Sequence, residues 1–156
     1  MWRSLAVVSL LACAADADPK PGSCEATAKA MKKATKLVAW KPPADCTAKG
    51  GARAPAMLSK EADARVHLEC KDANAKVGVD FAKRQLIVTS RSASPAGVGF
   101  DVYDDGKQVT FVSRQRMPCK NDPQPMPGPS QTLLYEAAAG ARSFADSSCN
   151  VETKCP

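Results

Sequence analysis

The chain has 156 residues, and its 22 Lys and Arg outnumber 16 Asp and Glu to give a net charge of +6. That length suits one domain. Aromatic residues make up only 5% of it, which excludes a ring-rich core and leaves Val, Leu, Ile, Ala and cystine to fill the interior.

Residues 1–17 read as an export signal. Arg3 supplies the positive start, Leu5 to Ala12 a short apolar run, and Ala15-Asp16-Ala17 the small-x-small pattern of a cleavage site. The run is shorter than the roughly 20 residues that span a bilayer. Leu10-Leu11-Ala12-Cys13 also resembles a bacterial lipobox, in which case the signal ends before Cys13 and lipid on that cysteine anchors the protein to a membrane. Either way, 18–156 is expected to be a single disulfide-stabilised domain, secreted or periplasmic. Beyond Cys13 there are six cysteines, Cys24, Cys46, Cys70, Cys119, Cys149 and Cys155. An even number in an exported chain predicts three disulfides, without saying which of the 15 pairings is used. Close C-x-x-C pairs of the kind that hold zinc are missing.

In chain order, Ser23 is a good helix N-cap and Glu25 sits where the helix dipole favours an acid. From there to about Ala39 the pattern is helical. Thr27, Ala30, Met31, Ala34, Leu37 and Val38 fall on one side, and Lys29, Lys32, Lys33 and Lys36 on the other. Pro42 and Pro43 end the helix. Residues 44–55 form a loop, and Ser59 starts a short helical turn through Ala64. Val66, Leu68 and Cys70 then alternate with Arg65, His67 and Glu69, as in a half-buried strand. Val77, Val79 and Phe81 alternate likewise, and Gln85 to Ser90 is a further strand.

Asp105-Gly106 predicts a hairpin with a two-residue type I′ turn, pairing Val102 with Val109 and Phe100 with Phe111. Phe100, Val102, Val109 and Phe111 share one face. Asp101 lies on the other, where replacement by Ala is expected to do little. Five prolines between Pro118 and Pro129 make that stretch a surface loop. Gln131 to Ala137 reads as the last strand, with a loop-like tail. The expected fold class is therefore α+β: an N-terminal amphipathic helix packed on an antiparallel sheet of about five or six strands, stapled by disulfides.

Chemistry is sparse. His67 is the chain's one histidine and reads as a solvent-facing side chain between Arg65 and Glu69. Nucleophile elbows, phosphate loops and dinucleotide fingerprints are absent. Asp101 to Gly106 opens like a calcium loop but has Tyr103 at its third position and Val112 at its twelfth. Neither a metal nor a cofactor is expected. Glu61, Asp63, Glu69, Asp80, Asp101 and Glu136 offer carboxylates with nothing to select a pair. Arg114, Arg116 and Met117 lead into Pro118-Cys119, which suits a rigid, inhibitor-like binding loop.

Charge is the more informative signal. Asp18 to Lys60 carries nine Lys and Arg against three acids, while Glu61 to Pro156 is balanced, twelve against twelve. Lys29, Lys32, Lys33 and Lys36 are the candidate ligand-binding residues, facing an anionic polymer, an anionic membrane surface or a partner protein. The expected function is a non-catalytic binding module of the envelope or extracellular space. The competing expectation is a small secreted hydrolase that uses surface carboxylates or His67.

Overall fold

A computed structural model of the chain describes residues 20–51, 53–92, 97–119 and 128–152. Residues 1–17, where an export signal is expected, Cys13, Cys155 and most of the Pro-rich stretch lie outside the described residues.

The fold is mostly β, which corrects the α+β expectation. Among the described residues there are two short helices, α1 (Cys24–Ala30) and α2 (Glu61–Val66). Nine strands accompany them: β1 (Thr35–Lys36), β2 (Cys46–Ala48), β3 (Ala56–Leu58), β4 (Leu68–Cys70), β5 (Arg84–Ser92), β6 (Gly97–Asp104), β7 (Gln108–Arg116), β8 (Ser130–Ala138) and β9 (Ser143–Val151). They form three sheets, ordered β1-β6-β7-β9, β3-β5-β8 and β2-β4. The single antiparallel sheet expected from sequence is not what forms. β9 lies parallel to β7 along its full length, Gln108 opposite Ser143 through Arg116 opposite Val151.

The β3-β5-β8 sheet is the middle layer. On one side Leu58, Leu86, Val88 and Leu134 bury against Ala64 of α2, Leu68 of β4 and Val77. On its other side Ile87, Tyr135 and Ala137 bury against Val102, Val109 and Phe111 of the β6-β7 hairpin. β5 is covered on both faces, so Gln85 through Thr89 are all buried. This is why its apolar run Leu86-Ile87-Val88 does not alternate with polar residues.

The expected helix from Ser23 to Ala39 is cut to seven residues, and none of them is buried. Its start follows the sequence: Ser23 is the N-cap, its hydroxyl accepts from the Ala26 N–H, and Glu25 occupies the first turn. What ends it is pairing with a distant strand. Thr35 and Lys36 lie antiparallel to Asp104 and Tyr103 on the edge of β6, and the Leu37 N–H donates to the Val102 carbonyl at 2.8 Å. Leu37 then packs into the cluster between the sheets, and Trp40 into the cluster on the far side of the middle sheet. A continuous helix would hold these two side chains on neighbouring positions of one face.

The β6-β7 hairpin forms with a shifted register. Val102 faces Phe111 and Asp104 faces Val109, so the reversal centres on Gly106-Lys107. A type I′ turn needs positive φ at both central residues. Here Gly106 has φ +91°, and no described non-glycine residue has positive φ. The shift is by an even count, so Val102, Val109 and Phe111 keep their common buried face. Residues 77–81 do not form the expected strand, Val66 ends α2 instead of opening a strand, and the tail contains β9.

Candidate functional site

Residues 29–41 run as a strap from the end of α1 across two sheets. Its first anchor is β1 on β6. Its second is an isolated bridge between Ala39 and Tyr135, with the Trp40 N–H donating to the Leu134 carbonyl at 2.7 Å. Main-chain bonds at both ends, together with half-buried Leu37 and Trp40, fix the strap. Val38 between them is 81% exposed.

The structure separates the four candidate lysines. Lys29 lies in the last turn of α1, and Lys32 and Lys33 are exposed in the turn that follows. Lys36 belongs to β1 and pairs with Asp101 at 2.7 Å. That carboxylate also meets Arg114 at 3.5 Å, and its side chain is only 13% exposed. Lys36 is thus engaged in docking the strap, and Asp101 is no bystander. Lys41, which lies beyond the expected helix, is exposed on the same strap. With Val38 and Trp40 it borders a groove of about 400 Å³ whose other wall is Arg84 and Glu136, themselves paired at 2.7 Å.

His67 does not face open solvent on a strand. It caps the C-terminus of α2, and its Nδ1 lies 2.5 Å from Nη1 of Arg53. A guanidinium can only donate, so Nδ1 accepts and the ring is neutral with its proton on Nε2. Burial, then the charges of Arg53 and Lys49, hold its pKa below 6.5, while Asp63 acts in the opposite sense. Lys49 is placed by the β2-β4 ribbon: its N–H donates to the His67 carbonyl at 2.9 Å. Arg53 is placed by β5, since the Ser90 hydroxyl bonds both its N–H and its carbonyl, at 2.6 and 3.1 Å. Sequence reasoning missed Arg53 and Lys49 as neighbours of His67. Both belong to the positive stretch before Glu61, but nothing local announces contact across the separation.

The carboxylates raised for hydrolysis are dispersed. Glu61 pairs with Arg65 and accepts the Val77 N–H, Asp80 accepts the Ala82 N–H, and Glu136 pairs with Arg84. The Asp105 carboxylate closes the hairpin turn. It accepts the N–H groups of Lys107 and Gln108 at 2.8 and 2.7 Å, which hold its pKa below the usual carboxylate range. Among the described residues no group of three or more His, Cys, Asp or Glu is placed to hold a metal ion.

Two cystines are defined. Cys24–Cys149 ties α1 to β9, and Cys46–Cys70 joins directly opposed residues of β2 and β4. Cys119 is disulfide-bonded as well. Cystines fit an oxidising, extracellular or periplasmic environment, and no helix among the described residues is long and apolar enough to cross a membrane. No protein-family model, curated protein or solved structure matches the chain.

Proposed function

We propose that this is a non-catalytic binding module of the extracellular space or envelope, exported by residues 1–17, that contacts an anionic polymer through the strap 29–41. The observation that carries the reading is the anchored strap itself. It displays Lys32, Lys33 and Lys41 with no carboxylate at ion-pair distance among the described residues. A polymer is favoured over a bilayer because Val38 is the strap's one large, strongly exposed apolar side chain among the described residues, too little to insert into a membrane interface. Lipidation at Cys13 would supply a separate anchor and does not alter this contact.

The test is retention on a heparin-type polyanion across a salt series. Exposed charges are screened over about 8 Å at physiological ionic strength, so retention should fall steeply with salt. Changing Lys32, Lys33 and Lys41 together to Gln should remove it with the melting curve unchanged. Retention that survives the triple change overturns the proposal. Vesicle binding without polymer binding would move the reading to a membrane surface.

A further inference from the structure

Arg53 differs from five other arginines of the described residues. Arg65, Arg84, Arg91, Arg114 and Arg142 each lie against a carboxylate: Glu61, Glu136, Asp146, Asp101 and Asp104 respectively. Arg53 is half-buried and meets none among the described residues. Among the described residues its Nη1 is directed at the neutral ring of His67, its Nη2 reaches the Gly50 carbonyl at 3.5 Å, and its buried Nε meets no acceptor. Lys49, the cross-strand neighbour of His67, likewise has no carboxylate at ion-pair distance among the described residues. A guanidinium drawn partly out of water without a counterion is costly to keep. The loop that holds it is nevertheless fastened on three sides: by Ser90 of β5, by the Lys49 N–H on His67, and by the Thr132 hydroxyl on the Lys49 carbonyl. Gly50 and Gly51 in that loop have open space where a Cβ would stand, and Gly51 has φ +117°. The approach to the cluster from the loop side is therefore unobstructed by side chains at these two positions.

We propose that Lys49, Arg53 and His67 form a binding site for a phosphoryl or sulfuryl group, separate from the strap and independent of it. The donors are of the right kind: an ammonium, the free N–H groups of a guanidinium, and the Nε2–H of an imidazole. A doubly charged tetrahedral anion answers the two cations, and it gains a third when His67 takes a proton on Nδ1 and the Arg53 Nη1 contact gives way. The positive charges of Arg53 and Lys49 that oppose that proton are then offset, with Asp63 on α2 acting in the same direction as the bound anion. Binding and protonation are linked reciprocally: whatever the protonated ring adds to anion affinity, the anion adds to the ring's proton affinity.

His67 is the chain's one histidine, so its ring C–H resonances report on the site without overlap. Inorganic phosphate and sodium sulfate, each compared with sodium chloride at equal ionic strength, should shift those resonances saturably and raise the His67 pKa by about one unit. That corresponds to about tenfold tighter binding by the protonated ring. Acetate, a single planar charge, should give a smaller change. Arg53→Gln should abolish the anion-dependent shift, and Arg53→Lys should weaken it, because the fork is lost and the charge kept. The Lys32, Lys33 and Lys41 triple variant should titrate as the parent does, which separates this site from the strap. Indifference of the parent's His67 to both phosphate and sulfate overturns the proposal, and so does a shift that survives in Arg53→Gln. If Arg53→Gln fails to fold, the parent titration together with Arg53→Lys decides.

Discussion

The carboxylate of Asp104 holds two parts of the fold together. It accepts Nε of Arg142 at 2.8 Å and the Gly106 N–H at 2.8 Å, and the ion pair is nearly dry, with side chains 9% and 7% exposed. Arg142 in turn fills the space beside Gly140, where a Cβ would stand 2.6 Å from Nη1. Asp104→Ala leaves Arg142 buried without its counterion, so a loss of about 3–5 kcal/mol is expected in urea unfolding. His67 makes a second prediction at this scale. Its folded pKa lies below 6.5, so between those two values the unfolded chain binds more protons than the folded one. The stability this contributes is present above 6.5 and is lost as pH falls through the folded pKa. The urea midpoint should therefore drop as pH falls below about 6.5, and His67→Gln should flatten that part of the profile. An unchanged slope in the variant would assign the pH dependence to other groups. Sequence alone showed His67 as a polar side chain on a strand. The short contact with Arg53 depends on a loop 14 residues away, and alternation within 65–70 carries no trace of it.

Among the elements, those governed by neighbouring residues were legible and those governed by distant ones were not. The start of α1 is local, a Ser23 hydroxyl on the Ala26 N–H, and the sequence announces it. Its end is not local. No glycine or proline stands between Met31 and Lys41, so helical periodicity runs on while the chain itself turns to pair with β6. The lysine arc requires that helix to continue, and with the turn the four side chains part, Lys36 to the edge of β6. The hairpin was legible in its place and its buried face, but not in its register, because the Asp105 side chain gathers the turn N–H groups and moves the reversal one residue on. Gly106→Val remains a sharp test. At φ +91° a β-branched residue is strained, although open space surrounds the position. Thermal melts should show a loss of about 1–3 kcal/mol, whereas Ala at Lys107, which has ordinary φ, should lie within about 0.5 kcal/mol of the parent.

At the scale of the whole molecule, three layers share one middle sheet, and β5 belongs to both hydrophobic clusters. Strand content in 84–137 was readable because each strand carries its own apolar pattern. The layering was not, since sorting β8 and β9 into different sheets is decided by partners, and β9, with the sequence Ser143-Phe-Ala-Asp-Ser-Ser-Cys-Asn-Val151, has too little apolar alternation to stand out as a strand. The candidate site fared similarly. Net charge pointed to the stretch before Lys60, but which cations are spent on internal pairs, as Lys36 is on Asp101, emerges only when β1 meets β6.

The Cys24–Cys149 cystine has a consequence for the order in which the chain is made and closed. It joins positions 125 residues apart, beside a bridge from Ser23 to Asn150 and an ion pair from Lys20 to Glu152. Cys46 and Cys70 are 24 apart. Closing the longer loop costs about 1.4 kcal/mol more chain entropy, and during vectorial emergence β9, the strand α1 docks against, arrives last of the described elements. Oxidation should therefore run from the local bridge to the terminal one. Acid-trapped refolding intermediates should be rich in Cys46–Cys70 alone, and species holding only Cys24–Cys149 should be scarce. The reverse population would mean that the two ends find each other before the body has formed.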